Sequence, residues 1–136
     1  MIPHLVDSGP LVAFYDCKDT WHRWAHEQMD ALTTPLLTTE PVLSEAGFLL
    51  QRDTGNPAVI LRAAQGILQI AFDLEAEASV LETLMERYAN VPMSLADGSL
   101  VRLSELHRDS RVFTLDRDFR QYRRHSRQVI PLLVPW

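Results

Sequence analysis

A second cysteine is missing. Cys17 is the only one in the 136 residues, so no intramolecular disulfide can form and a reducing, cytoplasmic setting is expected. Cys17 itself reads as a small packing residue near a helix end. Also missing is any apolar run approaching the roughly 20 residues of a membrane span, so no membrane partner is expected. The first residues lack a basic n-region, and Pro3, His4 and Asp7 interrupt any hydrophobic stretch, so no signal peptide is expected. No internal repeat, low-complexity segment or linker divides the sequence, and residues 1–136 are expected to form one domain.

What is present is ordinary for a globular protein, with 46% hydrophobic and 23% charged residues, which excludes a disordered chain. The charge is uneven. Residues 1–101 hold 5 Lys and Arg against 14 Asp and Glu, whereas residues 102–136 hold 8 against 4. An acidic body with a basic tail fits either an acidic site beside a basic docking surface or plain solvated faces.

The stretch Leu5-Val6-Asp7-Ser8-Gly9-Pro10 reads as a buried strand ending in a carboxylate, with Pro10 opening a helix. Thr20 is placed to cap a second helix from Trp21. His22 and His26 lie four apart on it, but no HExxH glutamate stands between them and no third ligand is evident. A second strand covers Pro35–Thr39. In the helix that follows, Val42, Ala46, Leu49 and Leu50 form an apolar stripe, and Glu45 falls on that same stripe. Glu40, at the helix start, favours the dipole and is a rival to Glu45. A helix is expected over Ala58–Leu68, a strand over Leu68–Leu74, and helices over Glu75–Tyr88 and from Ser94 to about His107. A fourth strand, Arg111–Leu115, ends in Asp116. Phe119 and Tyr122 suggest a short helix, and Val129–Val134 a fifth strand. This alternation predicts an α/β fold with a parallel sheet covered on both faces.

In such a sheet, strand ends and the starts of following helices share one edge, where ligands bind. Asp7, Glu45, Asp97 and Asp116 are all placed to reach it. Carboxylates crowded together raise one another's pKa, and a divalent cation relieves this. Oxygen-only ligands suit Mg²⁺ or Mn²⁺ rather than zinc, and such a site can activate a water and stabilise a phosphodiester's transition state with one metal or two. Asp118 is placed as a fifth or outer acid, and Thr114 to orient a carboxylate or a water. Each acid also has a plainer use. Asp7 can cap the helix at Pro10, Asp97 completes a Ser94-x-x-Asp capping box, and Asp116 and Asp118 can form turns.

With these residues in place, the sequence resembles the PIN-domain ribonucleases, most of all the single-domain toxins of the VapC type. The resemblance runs end to end. It rests on Val6-Asp7-Ser8-Gly9, Thr39-Glu40-Pro41-Val42-Leu43-Ser44-Glu45-Ala46, Ser94-Leu95-Ala96-Asp97-Gly98-Ser99-Leu100 and Val112-Phe113-Thr114-Leu115-Asp116-Arg117-Asp118-Phe119. It implies a three-layer α/β/α sandwich with a parallel sheet of about five strands in the order 3-2-1-4-5. It also implies Mg²⁺- or Mn²⁺-dependent cleavage of single-stranded RNA. Carried over by match, Asp7, Glu45, Asp97 and Asp116 are the catalytic, metal-holding acids, with Asp118 an occasional extra. A homodimer and an antitoxin partner are further implications.

The segment Arg117–Arg127 gathers five arginines. If it stays helical, Arg120, Arg124 and Arg127 share a face. Arg117, Arg120, Arg124 and Thr114 are the expected substrate contacts, because an acidic pocket alone would repel RNA. Two other functions compete with the nuclease. One is a non-catalytic PIN-like module that grips RNA or a protein through the basic tail. The other is a phosphohydrolase of a different α/β fold, which Asp7-Ser8-Gly9 argues against because it lacks the Asp-x-Asp arrangement that haloacid-dehalogenase-like phosphatases use.

Overall fold

The computed structural model describes residues 2–136. Its first strand is the short apolar run at the start of the sequence: β1 spans His4–Val6, with Leu5 and Val6 wholly shielded from solvent. A strand apolar on both faces belongs at the centre of a covered sheet. β1 is central, paired in parallel with β2 (Leu36–Thr38) on one side and β4 (Arg111–Phe113) on the other. β3 (Gln69–Ile70) extends the β2 side and β7 (Leu132–Leu133) the β4 side. The five-stranded order is β3-β2-β1-β4-β7, the order the resemblance implied.

The helices are α1 (Ser8–Tyr15), α2 (His22–Ala31), α3 (Glu40–Thr54), α4 (Ile60–Gly66), α5 (Leu74–Arg87) and α6 (Leu95–Leu106). Thr39 caps α3, accepting from the Val42 N–H at 3.3 Å, Pro41 sits in its first turn, and Gly55 ends it in the left-handed region at φ 71°, a conformation glycine adopts without penalty. The two histidines of α2 are fasteners. His22 Nδ1 meets the Ala13 carbonyl at 2.7 Å and His26 Nε2 the Phe14 carbonyl at 3.0 Å. Both carbonyls lie in the last turn of α1, where helix acceptors lack intrahelical partners.

Several expected boundaries shift. Thr20 does not cap α2; Trp21 occupies the cap position without a side-chain bond, and Asp19 accepts the Trp21 N–H instead. The Ala58–Leu68 helix divides into a 3₁₀ turn (Pro57–Val59) and α4, and the Leu68–Leu74 strand contracts to Gln69–Ile70. The fifth strand, expected over Val129–Val134, divides at Pro131. Its first part, β6 (Gln128–Val129), pairs antiparallel with β5 (Arg123–Arg124), and only Leu132–Leu133 joins the main sheet.

That hairpin also removes the expected arginine face. The segment is a 3₁₀ turn (Arg117–Arg120) followed by strand, and the connecting His125 and Ser126 have φ of 48° and 68°. Arg124 points inward at 2% exposure. Its guanidinium donates to the carbonyls of Arg108 and Ser110, both at 2.6 Å. Arg124 is therefore a structural clamp on the loop between α6 and β4, and it is inaccessible to substrate.

Candidate active site at the carboxyl edge of the sheet

Four elements deliver the acids. Asp7 follows β1 directly and caps α1. Asp116 lies just beyond β4 and caps the 3₁₀ turn. Glu45 stands on α3, the helix after β2, and Asp97 in the first turn of α6. All four line one cleft of about 410 Å³, together with Ser8, Gly9 and Ser94. Gly9 lets α1 approach closely: a Cβ there would stand 3.1 Å from the Leu115 Cβ.

The capping readings and the site readings turn out to describe the same bonds. Asp7, at the N-cap of α1, accepts the N–H of the first helical residue, Ser8, on Oδ1 at 2.7 Å, while Oδ2 accepts the Thr114 hydroxyl at 2.6 Å. Thr114 in turn accepts the Asp116 N–H at 2.9 Å, so one buried hydroxyl links the ends of β1 and β4. The Ser94–Asp97 capping box is complete, and Asp97 Oδ2 also faces the Tyr122 hydroxyl at 3.4 Å. Glu45 Oε2 accepts the Ser8 hydroxyl at 2.7 Å. These bonds hold the carboxylates in fixed positions along the cleft they line.

The electrostatics are those of acids held together against their preference. Burial pushes Asp7 up to about 7, and the nearby charges of Asp97 and Glu45 add to this against the Thr114 and Ser8 hydrogen bonds. Asp97 rises to about 6, again mainly through burial, with Asp116 and Glu45 contributing and Ser94 opposing. Burial first, then the charges of Asp97, Asp118 and Asp116, raise the Tyr122 hydroxyl above its ordinary value, so it stays a donor. No lysine or arginine is among the residues lining the cleft.

Glu45 thus lines the cleft, whereas its rival Glu40 is exposed at the α3 start. Asp118 is not among the lining residues; its carboxylate accepts from Gln121 Nε2 at 3.3 Å and its N–H serves Asp116. Thr114 is fully buried and orients Asp7, so it does not reach substrate. Arg117 and Arg120 are exposed, each with its guanidinium carbon 4.3 Å from the centre of the Trp136 ring. Sequence reasoning missed Ser8, Ser94, Tyr122 and Trp136 as parts of this edge. Ser8 and Ser94 had a signal, adjacency to an acid and a capping box, but Tyr122 and Trp136 had none.

The donor set is all oxygen, which fits Mg²⁺ or Mn²⁺ in kind. Among the described residues no group of three or more acids, histidines or cysteines is placed closely enough to hold a metal ion, although the four carboxylates line the same cleft.

Comparison with known proteins agrees with this architecture. The PIN-domain family model matches residues 4–125. A curated relative, the ribonuclease VapC26 of Mycobacterium tuberculosis (strain ATCC 25618 / H37Rv), is 25% identical over 116 residues, covering 83% of this chain and 86% of its own. The crystal structure of M. tuberculosis VapC20, described as a sarcin–ricin loop cleaving toxin, superposes with a TM-score of 0.69 at 21% identity, over 85% of this chain and 91% of its own.

Proposed function

This chain belongs to the PIN-domain family, and on that premise we propose that it is a metal-dependent endoribonuclease of the VapC type, the toxin of a toxin–antitoxin pair. The observation that carries the reading is the meeting of Asp7, Glu45, Asp97 and Asp116, from four separate elements, in one cleft without a basic lining residue. The likeness to a relative named as a ribonuclease and to a structure described as a cleaving toxin supports it. A cognate antitoxin is part of the same proposal.

The four acids would hold one or two Mg²⁺ or Mn²⁺ ions, which supply the positive charge and Lewis acidity that phosphodiester hydrolysis needs. The chain's own groups do the positioning. The Ser8 N–H holds Asp7 Oδ1 and the Thr114 hydroxyl holds Oδ2, so the carboxylate is fixed at the cleft. The Ser94 N–H and Tyr122 hydroxyl do the same for Asp97. Ser8, donating to Glu45, couples the start of α1 to α3. Such preorganisation keeps the acids from reorienting during the reaction.

The test is cleavage of a labelled, mixed-sequence single-stranded RNA in Mg²⁺, Mn²⁺ or EDTA. The expected result is cutting in either metal and none in EDTA, leaving 5′-phosphate and 3′-hydroxyl ends. Glu45→Gln is expected to cut on the order of 10²-fold more slowly, as befits loss of a ligand or its partner. Cutting that persists in EDTA, or cyclic phosphate ends, would overturn the metal mechanism. RNA binding without cutting in any metal would point to a non-catalytic module.

A further inference from the structure

We propose that Arg117, Arg120 and Trp136 form a phosphate-binding platform that holds the RNA strand beside the acid cleft. The inference rests on the endoribonuclease reading and adds the surface that brings substrate to the site.

Topology places the platform. β4 and β7 run parallel with Phe113 opposite Leu133, and the Thr114 N–H bonds the Leu133 carbonyl at 3.2 Å. Asp116 and Trp136 therefore lie equally far past the ends of neighbouring strands, at the same edge of the sheet. Asp116 lines the cleft and Arg117 is its next residue, so the platform starts where the acids stop.

Its chemistry points to phosphate. Both guanidinium carbons stand 4.3 Å from the centre of the Trp136 ring, the range of a cation–π contact. Both arginines are exposed, and among the described residues neither forms an ion pair, although Asp116 and Asp118 are close in sequence. Packing on an indole restrains a guanidinium while leaving its N–H edge free, the geometry that meets phosphate oxygens in pairs. An RNA strand entering a cleft lined by carboxylates needs cationic contacts next to it, and phosphate contacts dominate such affinity. The indole is engaged by both arginines, so the platform tracks the backbone and adds no base-stacking preference of its own.

Binding of a short fluorescein-labelled mixed-sequence RNA, measured by anisotropy with Mg²⁺ between about 50 and 200 mM salt, tests this. The Asp97→Asn chain serves as background so that the probe survives. Arg117→Gln and Arg120→Gln are each expected to weaken binding about tenfold and to flatten the log–log salt slope by about 0.7, the value of one single-strand phosphate contact. Trp136→Leu keeps both charges and is expected to weaken binding several-fold with the slope nearly retained, because the arginines lose their support rather than their charge. Arg127→Gln removes one charge from the hairpin, away from Trp136, and is the control. In the active chain the platform variants should raise KM more than they lower kcat. If Arg117→Gln and Arg120→Gln behave like Arg127→Gln while the active chain still cuts RNA, the platform is wrong and the nuclease stands. If the active chain neither binds nor cuts RNA, both fall.

Discussion

Asp7→Asn is expected to abolish cleavage and to make the metal-free protein more stable. Asp7 is 3% exposed and pushed up to about 7, so at pH 8 the folded protein holds an ionised carboxylate that it solvates poorly. A rise from the ordinary 3.8 to about 7 corresponds to a cost on the order of 4 kcal/mol at 1.36 kcal/mol per unit. Asparagine has nearly the same shape and no charge to desolvate. Its oxygen can still accept the Ser8 N–H, and Thr114, which already accepts from Asp116, can accept its amide. The Thr114 hydroxyl proton loses its acceptor, which offsets part of the gain. A net stabilisation of about 2 kcal/mol at pH 8 remains, several degrees in Tm for a domain of this size. Activity should fall on the order of 10³-fold, beyond the 10–100-fold typical of an outer-shell residue. Thermal melts in EDTA beside single-turnover cleavage check the pair of outcomes. A destabilised, inactive variant would mean that Asp7 serves the fold first. The expected opposition, less activity with more stability, is the mark of a site kept at the fold's expense.

The second large effect is an inverted pH dependence of stability. Carboxylates in native proteins usually have depressed pKa values and lend stability as pH rises. Asp7 and Asp97, at about 7 and about 6 against 3.8, do the reverse. Between pH 4 and 7 the folded chain keeps protons that the unfolded chain has released, so raising pH favours unfolding. Their contribution is fully present below pH 3.8 and is lost as pH climbs through 6 and 7, several kcal/mol in all. His4 works in the opposite sense. It is lowered by burial and by the Arg111 charge, so it disfavours the fold as pH drops below 6.5. The difference between wild type and Asp7→Asn isolates the acid. Urea midpoints in EDTA from pH 5 to 8 should converge for the two proteins at the acid end and diverge toward pH 8. Parallel curves would show that Asp7 does not titrate across this range.

How much of this was legible depended on sequence distance. The ends of β1 and β4 and the Ser94–Asp97 box are local features, carried by an apolar run meeting a carboxylate or by a three-residue spacing, and they stand where the pattern put them. Glu45 was legible because an acid on an apolar stripe has to face something, and it faces the cleft. The arginine-rich segment misled. Its spacing suits a helix, but Arg124 has buried carbonyls to satisfy at Arg108 and Ser110, and no local pattern announces an acceptor 14 or 16 residues away. The strands were read too long because apolar character continues past the point where a parallel partner is available, as at Ile130, which is buried outside the main sheet. Thr114 reaching Asp7 and Tyr122 reaching Asp97 are contacts across 107 and 25 positions, which only the fold creates.

We propose that Asp7, Glu45, Asp97 and Asp116 share a divalent cation. The decisive measurement is calorimetric titration of the metal-free protein with Mn²⁺ at pH 6.5, repeated in buffers of different ionisation enthalpy. The predicted result is saturable binding of one or two ions with release of protons, because Asp7 and Asp97 are partly protonated at that pH and must ionise to ligate. Binding should weaken at least about tenfold in folded Asp7→Asn and Asp97→Asn chains, and proton release should shrink with it. Mn²⁺ binding that is undiminished in both variants, or no binding by the folded wild-type chain, would contradict the claim.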